Sequence, residues 1–184
     1  MQPHPGVTPR SYRVPIVVLS ALLFVLVGGI VVVLSARAGG RAPCPVGEWT
    51  VESYRDAVPV DAIGQTLTFT GGAGTILRLR GDGTGETDYG AGVTFTAAAP
   101  DGRTVKIEVS GPARFRYELT AAGGDISVTP VSNDTTSQLF IGATRLGAPA
   151  KYSDSAKTRS YRLVCRQDSL TQDDDQLAVG YRRR

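Results

Sequence analysis

From residue 44 onward, apolar and polar positions alternate in short runs: Trp49, Val51 and Ser53; Leu67 and Phe69; Leu77 and Leu79; Val105, Ile107 and Val109; Phe115, Tyr117 and Leu119; Ile126 and Val128. A period of two puts successive side chains on opposite faces of a strand, and no stretch here sustains a helical period over three turns. Further short strands are predicted at Gln138 to Ile141, Tyr161 to Cys165, around Leu170 and at Leu177 to Tyr181, with residues 151–159 a loop or one helical turn. Between the runs lies turn chemistry: Gly81-Asp82-Gly83, Asp101-Gly102 and Gly123-Gly124-Asp125. Such short connections join neighbouring antiparallel strands, so the pattern predicts an all-β antiparallel meander of roughly ten strands, most simply an up-and-down barrel.

Ahead of this pattern, Val14 to Leu34 is free of charge. At 1.5 Å per residue it spans roughly 31 Å, the thickness of a bilayer core, and it reads as a transmembrane helix. The resulting organisation is a cytoplasmic tail (1–13), a transmembrane helix (14–34), a small and polar linker (35–43) and an extracytoplasmic β domain (44–184). The alternative is a secreted protein cleaved after Ala38, since Ala36-Arg37-Ala38 is a small-x-small site; the apolar run is longer than a signal peptide's ~7–15 residues. Arginines flank it on both sides (Arg10 and Arg13; Arg37 and Arg41), so charge does not orient it. Cysteine usage does. Cys44 opens the β domain and Cys165 lies near its end, a pair suited to a disulfide in an oxidising compartment; two unrelated buried thiols are the other reading.

The formal net charge of +3 belongs largely to those membrane flanks. From Cys44 onward, sixteen basic residues face seventeen acidic ones, so a basic groove for nucleic acid is not expected. The single histidine, His4, precedes the apolar run. The β domain must therefore do any chemistry without imidazole, and two cysteines cannot complete a Cys-only zinc site.

Gly47-Glu48-Trp49, at the start of the first strand, resembles the G-x-W element that opens lipocalin and lipocalin-like barrels. Leu79 to Gly85 is similar to the DG-T-G hairpin of small bacterial secreted domains of that kind. The resemblance implies a calycin-type barrel whose tryptophan packs across its closed end. It also implies that the strand Tyr161 to Cys165 pairs close to the first strand as the barrel closes, bringing Cys165 to Cys44.

Candidate site residues follow from the aromatics. Trp49, Phe69, Tyr89, Phe95, Phe115 and Tyr117 either line a ligand pocket or fill the core; beside Val51, Trp49 reads as a core plug. A small barrel can be just filled or hold one small ligand, and a filled or nearly filled interior is expected. Asp82, Thr84, Glu86 and Asp88 have the spacing of a calcium loop, but Thr87 and Val93 stand where glycine and glutamate belong, so a solvent-facing strand is expected and no metal. Asn133-Asp134-Thr135 reads as a chance glycosylation sequon, and Tyr181 to Arg184 as a frayed basic terminus. No catalytic residue or cofactor is expected, as no serine elbow or phosphate-binding loop occurs. The expected function is a membrane-anchored, extracytoplasmic, non-catalytic binding or interaction domain. Alternatives are a carrier or sensor of a small apolar ligand in the barrel, and a carboxylate-dependent hydrolase of envelope polymers. Expected partners are the membrane, through residues 14–34, and a small apolar ligand or envelope component.

Overall fold

The computed structural model describes residues 44–120, 124–151 and 157–184. The tail, transmembrane and linker assignments for 1–43 lie outside the described residues, among which no helix is long and apolar enough to cross a membrane. Among the described residues there are thirteen strands: β1 Gly47–Val60, β2 Gln65–Gly71, β3 Ile76–Leu79, β4 Thr84–Asp88, β5 Val93–Ala98, β6 Thr104–Ser110, β7 Pro112–Leu119, β8 Asp125–Asn133, β9 Thr136–Ile141, β10 Thr144–Lys151, β11 Arg159–Cys165, β12 Ser169–Asp173 and β13 Leu177–Arg183. All pair antiparallel.

Eight of them close a barrel in the order β1-β13-β12-β11-β8-β7-β4-β3, the circle completed by β3 on the first residues of β1. The fold is thus the expected all-β closed barrel, but it is not a simple meander. β2, β5, β6, β9 and β10 leave the barrel and extend a second sheet from the far half of β1, in the order β1-β2-β5-β6-β9-β10. The turns at Asp82, Asp101 and Gly124 make the hairpins β3–β4, β5–β6 and β7–β8 as read from sequence. A tight turn dictates which strand is adjacent; it does not dictate which sheet the hairpin joins.

Each sheet covers its own core. The barrel encloses Trp49, Val51, Leu77, Leu79, Tyr117, Leu163, Leu170 and Tyr181, whereas the second sheet gathers Val60, Leu67, Phe69, Val93, Phe95 and Val105. Tyr54 packs against both. The chain passes between barrel and second sheet several times, and two of these crossings, at Gly111 and at Asn133–Thr135, touch each other. Gly111 has φ +88°, and a Cβ there would lie 2.7 Å from the Asp134 carbonyl oxygen, so glycine alone suits the crossing. The supposed sequon forms the second crossing of this touching pair: Asn133 Oδ1 accepts from the Thr135 amide (3.1 Å) and hydroxyl (2.6 Å), and Thr135 is buried.

Two features of β1 depart from the sequence pattern. A bulge at Glu52 lets Val51 face Tyr181 while Ser53 faces Gly180, so the inward set changes phase. Ser53, expected on the face of Trp49 and Val51, is exposed, and Tyr54 and Asp56 turn inward instead. The second departure concerns closure. β1 pairs with β13, and β12 and β13 stand between it and β11, so the strand carrying Cys165 is not its neighbour. The disulfide Cys44–Cys165 nevertheless forms, across the end of the barrel, with Cα atoms 5.9 Å apart.

Candidate functional site

The Trp49 end of the barrel is filled. Trp49 and Leu170 are fully buried, and Trp49 Nε1 donates to the Pro45 carbonyl (2.8 Å). The Arg183 guanidinium lies 4.3 Å from the Trp49 ring centroid. Its Nη1 donates to the Val46 carbonyl (3.1 Å), and its Nε to the Gln167 carbonyl (2.9 Å). This arrangement explains the glycine of Gly47-Glu48-Trp49: at φ +144°, a Cβ on Gly47 would sit 2.6 Å from Arg183 Nη1. The expected frayed terminus is therefore corrected, because Arg182 pairs with Glu52 (2.7 Å), Arg183 covers Trp49 and the Arg184 amide donates to Glu48 (3.0 Å).

Away from that end the interior is hollow. A cavity of about 230 Å³ lies within the barrel, walled in part by Leu77, Ile126, Tyr161, Val179 and Tyr181. A second, outer cavity of about 470 Å³, beside this inner one, is walled by Val58, Phe69, Ile107, Val109 and Leu139 of the second sheet. Both are bounded by Tyr54, Asp56, Tyr89, Phe95, Ala113 and Asn133, so the two adjoin along these residues. The expectation of a filled interior thus describes one end of the barrel only.

Asp56 is the carboxylate at this junction. Its Oδ2 accepts from the Tyr54 hydroxyl at 3.0 Å. Burial holds its carboxyl above the usual carboxylate range; the Tyr54 bond opposes that shift, Asp174 adds to it, and Arg159 and the Ala57 amide oppose it. Deeper in the barrel the Tyr181 hydroxyl donates to Gln172 Oε1 (3.2 Å), and burial raises its pKa, with Tyr89 and Tyr161 adding to the shift. Thr75 is 4% exposed and lines the inner cavity, and its Oγ1 has no hydrogen-bond partner among the described residues.

The six aromatic candidates separate by position. Trp49 plugs the closed end. Tyr117 is core, its hydroxyl donating to the Arg80 carbonyl at 2.6 Å, and burial raises its pKa. Phe115 lines the inner cavity and Phe69 the outer one. Tyr89 and Phe95 line both; their rings meet edge to face at 6.4 Å, and Phe95 lies 4.6 Å from Tyr54. Sequence reasoning missed Tyr54 and Asp56, because unbroken alternation from Trp49 puts both on the outer face.

The acidic run behaves as a solvent face. Asp82 Oδ1 accepts from the Thr84 amide (2.9 Å) and hydroxyl (2.6 Å), which holds its carboxyl below the usual range. Arg78 binds Glu86 (2.9 Å) and Asp88 (3.1 Å), and Glu86 also binds Arg114 (3.0 Å). Among the described residues no group of three or more metal-ligating side chains converges. In comparisons with known proteins, no family model, curated protein or solved structure matches this chain.

Proposed function

We propose that this chain is an extracytoplasmic binding domain, held at the membrane by residues 14–34, that takes a small, largely apolar ligand into the adjoining cavities. The observation carrying this reading is the shared boundary of the two cavities, where apolar walls meet a few polar groups. Small-molecule sites combine these features in volumes of roughly 300–1,000 Å³, a range that includes the outer cavity. The Cys44–Cys165 disulfide supports placing the domain in an oxidising compartment. The closed barrel and the Gly47, Trp49 and Arg183 arrangement support a lipocalin-like ancestry, with the second sheet as an addition.

The cavities favour the carrier or sensor reading over a purely protein-binding module. A hydrolase of envelope polymers is less well supported. Glycosidase carboxylates face each other about 5–9.5 Å apart. Asp56 is the one carboxylate lining the inner cavity among the described residues, and Asp61 of the outer cavity sits on an exposed turn.

The test is native mass spectrometry of the full-length protein extracted from its own envelope. The expected spectrum contains intact chain carrying a small-molecule adduct that dissociates on collisional activation. Chain associated only with another protein would turn the reading toward an interaction module, and a membrane-free form beginning at Gly39 would remove the anchor.

A further inference from the structure

We propose that the ligand is a small protonated amine with an apolar body, and that Asp56 is its counter-ion at the junction of the two cavities; this inference rests on the cavity-binding reading above. Four observations carry it.

The first is the state of Asp56. The β1 bulge turns it inward, where it is half-buried, and the side-chain hydrogen bond it receives comes from Tyr54. Arg159 attracts it, Asp174 repels it, and the Ala57 amide also favours its charged form. A carboxylate accepts up to about four hydrogen bonds, and one shielded from water gains most from a charged donor.

The second is the charge of the outer cavity. The charged residues that line it are Asp56 and Asp61, and no lysine or arginine does so among the described residues; Arg114 lines the inner cavity, where Glu86 (3.0 Å) and Asp134 (3.4 Å) pair with its charge. Such a lining attracts cations and repels a fatty carboxylate, which distinguishes it from a chamber for anionic lipids.

The third is the aromatic boundary. The rings of Tyr54, Phe95 and Tyr89 border the same space as the carboxylate. An ammonium within about 6 Å of a ring centroid is drawn to the ring face, most strongly where water is excluded.

The fourth is Thr75. Its buried hydroxyl lacks a partner among the described residues and lines the inner cavity. A polar head entering from the outer cavity would supply one. The apolar walls at Phe69, Ile107 and Leu139 then receive the rest of the molecule.

The experiment uses the full-length chain in lipid nanodiscs, with binding corrected against empty nanodiscs. Three probes share one apolar body and differ in the head: 4-phenylbutylamine (cationic), 4-phenylbutanol (neutral) and 4-phenylbutanoate (anionic). The amine should bind about tenfold or more tightly than the alcohol, and the carboxylate should bind weakest. Asp56→Asn should bring the amine and alcohol within about threefold of each other. Phe95→Leu keeps the carboxylate and removes a ring face, so it should weaken the amine severalfold; the unchanged emission of Trp49 would verify that either variant is folded.

Equal affinity for amine and alcohol, or an amine preference that survives in folded Asp56→Asn, would overturn the amine inference and leave the binding reading standing. Absence of saturable binding by all three probes, with a retained neutral adduct in native mass spectrometry, would do the same. If no probe binds and no adduct is retained, the binding reading fails as well.

Discussion

Removing the Cys44–Cys165 bond offers a direct measure of how the barrel is held shut. The bond spans 121 residues and joins the segment before β1 to the end of β11, although β12 and β13 lie between the two strands. Its main effect is to restrict the unfolded chain. For a loop of this length the chain-entropy relation gives about 4.9 kcal/mol at 25 °C, an upper bound on the stabilisation. Unfolding entropy of roughly 2 cal/mol/K per residue makes each kcal/mol worth about 3–4 °C in a domain of this size. Cys44→Ser should therefore lower the Tm by up to roughly 15 °C in a circular dichroism melt at 217 nm, near the β-sheet minimum, and Cys165→Ser by a similar amount. The double substitution should match either single one, since all three remove the same bond. Unequal single variants, a double variant that loses about twice as much, or a loss of only 1–2 °C would refute the reasoning, the last because the unfolded chain would already be compact without the bond.

Asp56→Asn should raise the urea midpoint at neutral pH. Because the folded carboxyl titrates above its ordinary value of 3.8, the native state holds more protons in that window, and stability falls as pH rises through the raised pKa. The gain should vanish in titrations below that ordinary value, where both states are protonated; a constant gain at all pH values would contradict the burial argument. Gly85→Ala should cost about 1–3 kcal/mol, because a Cβ there runs into the Phe115 ring, and Phe115→Leu should recover part of it in the double variant, read by chemical denaturation. Arg78→Ala should cost about 1–2 kcal/mol, because its part-buried guanidinium joins Glu86 and Asp88 as well as the exposed Glu48, and part of that cost should disappear in high salt.

Much of this molecule was legible in its sequence, for local reasons. Alternation and glycine turns determine strands and hairpins within a few residues of themselves, so the all-β class and the turns at Asp82, Asp101 and Gly124 could be read directly. Two cysteines flanking a β domain suggested a staple, and the staple is present. Trp49, which alternates with Val51 in the sequence, is fully buried. What tertiary structure decided is non-local. Whether β5, β6, β9 and β10 join the barrel or the second sheet depends on pairing partners far along the chain, which no turn encodes. The bulge at Glu52 adds one residue opposite β13 and reverses the inward phase of everything after it in β1. That single slip takes Ser53 out of the interior and puts Tyr54 and Asp56 into it. The candidate site was hidden for this reason: it is made by a break in the period from which the strand itself was recognised.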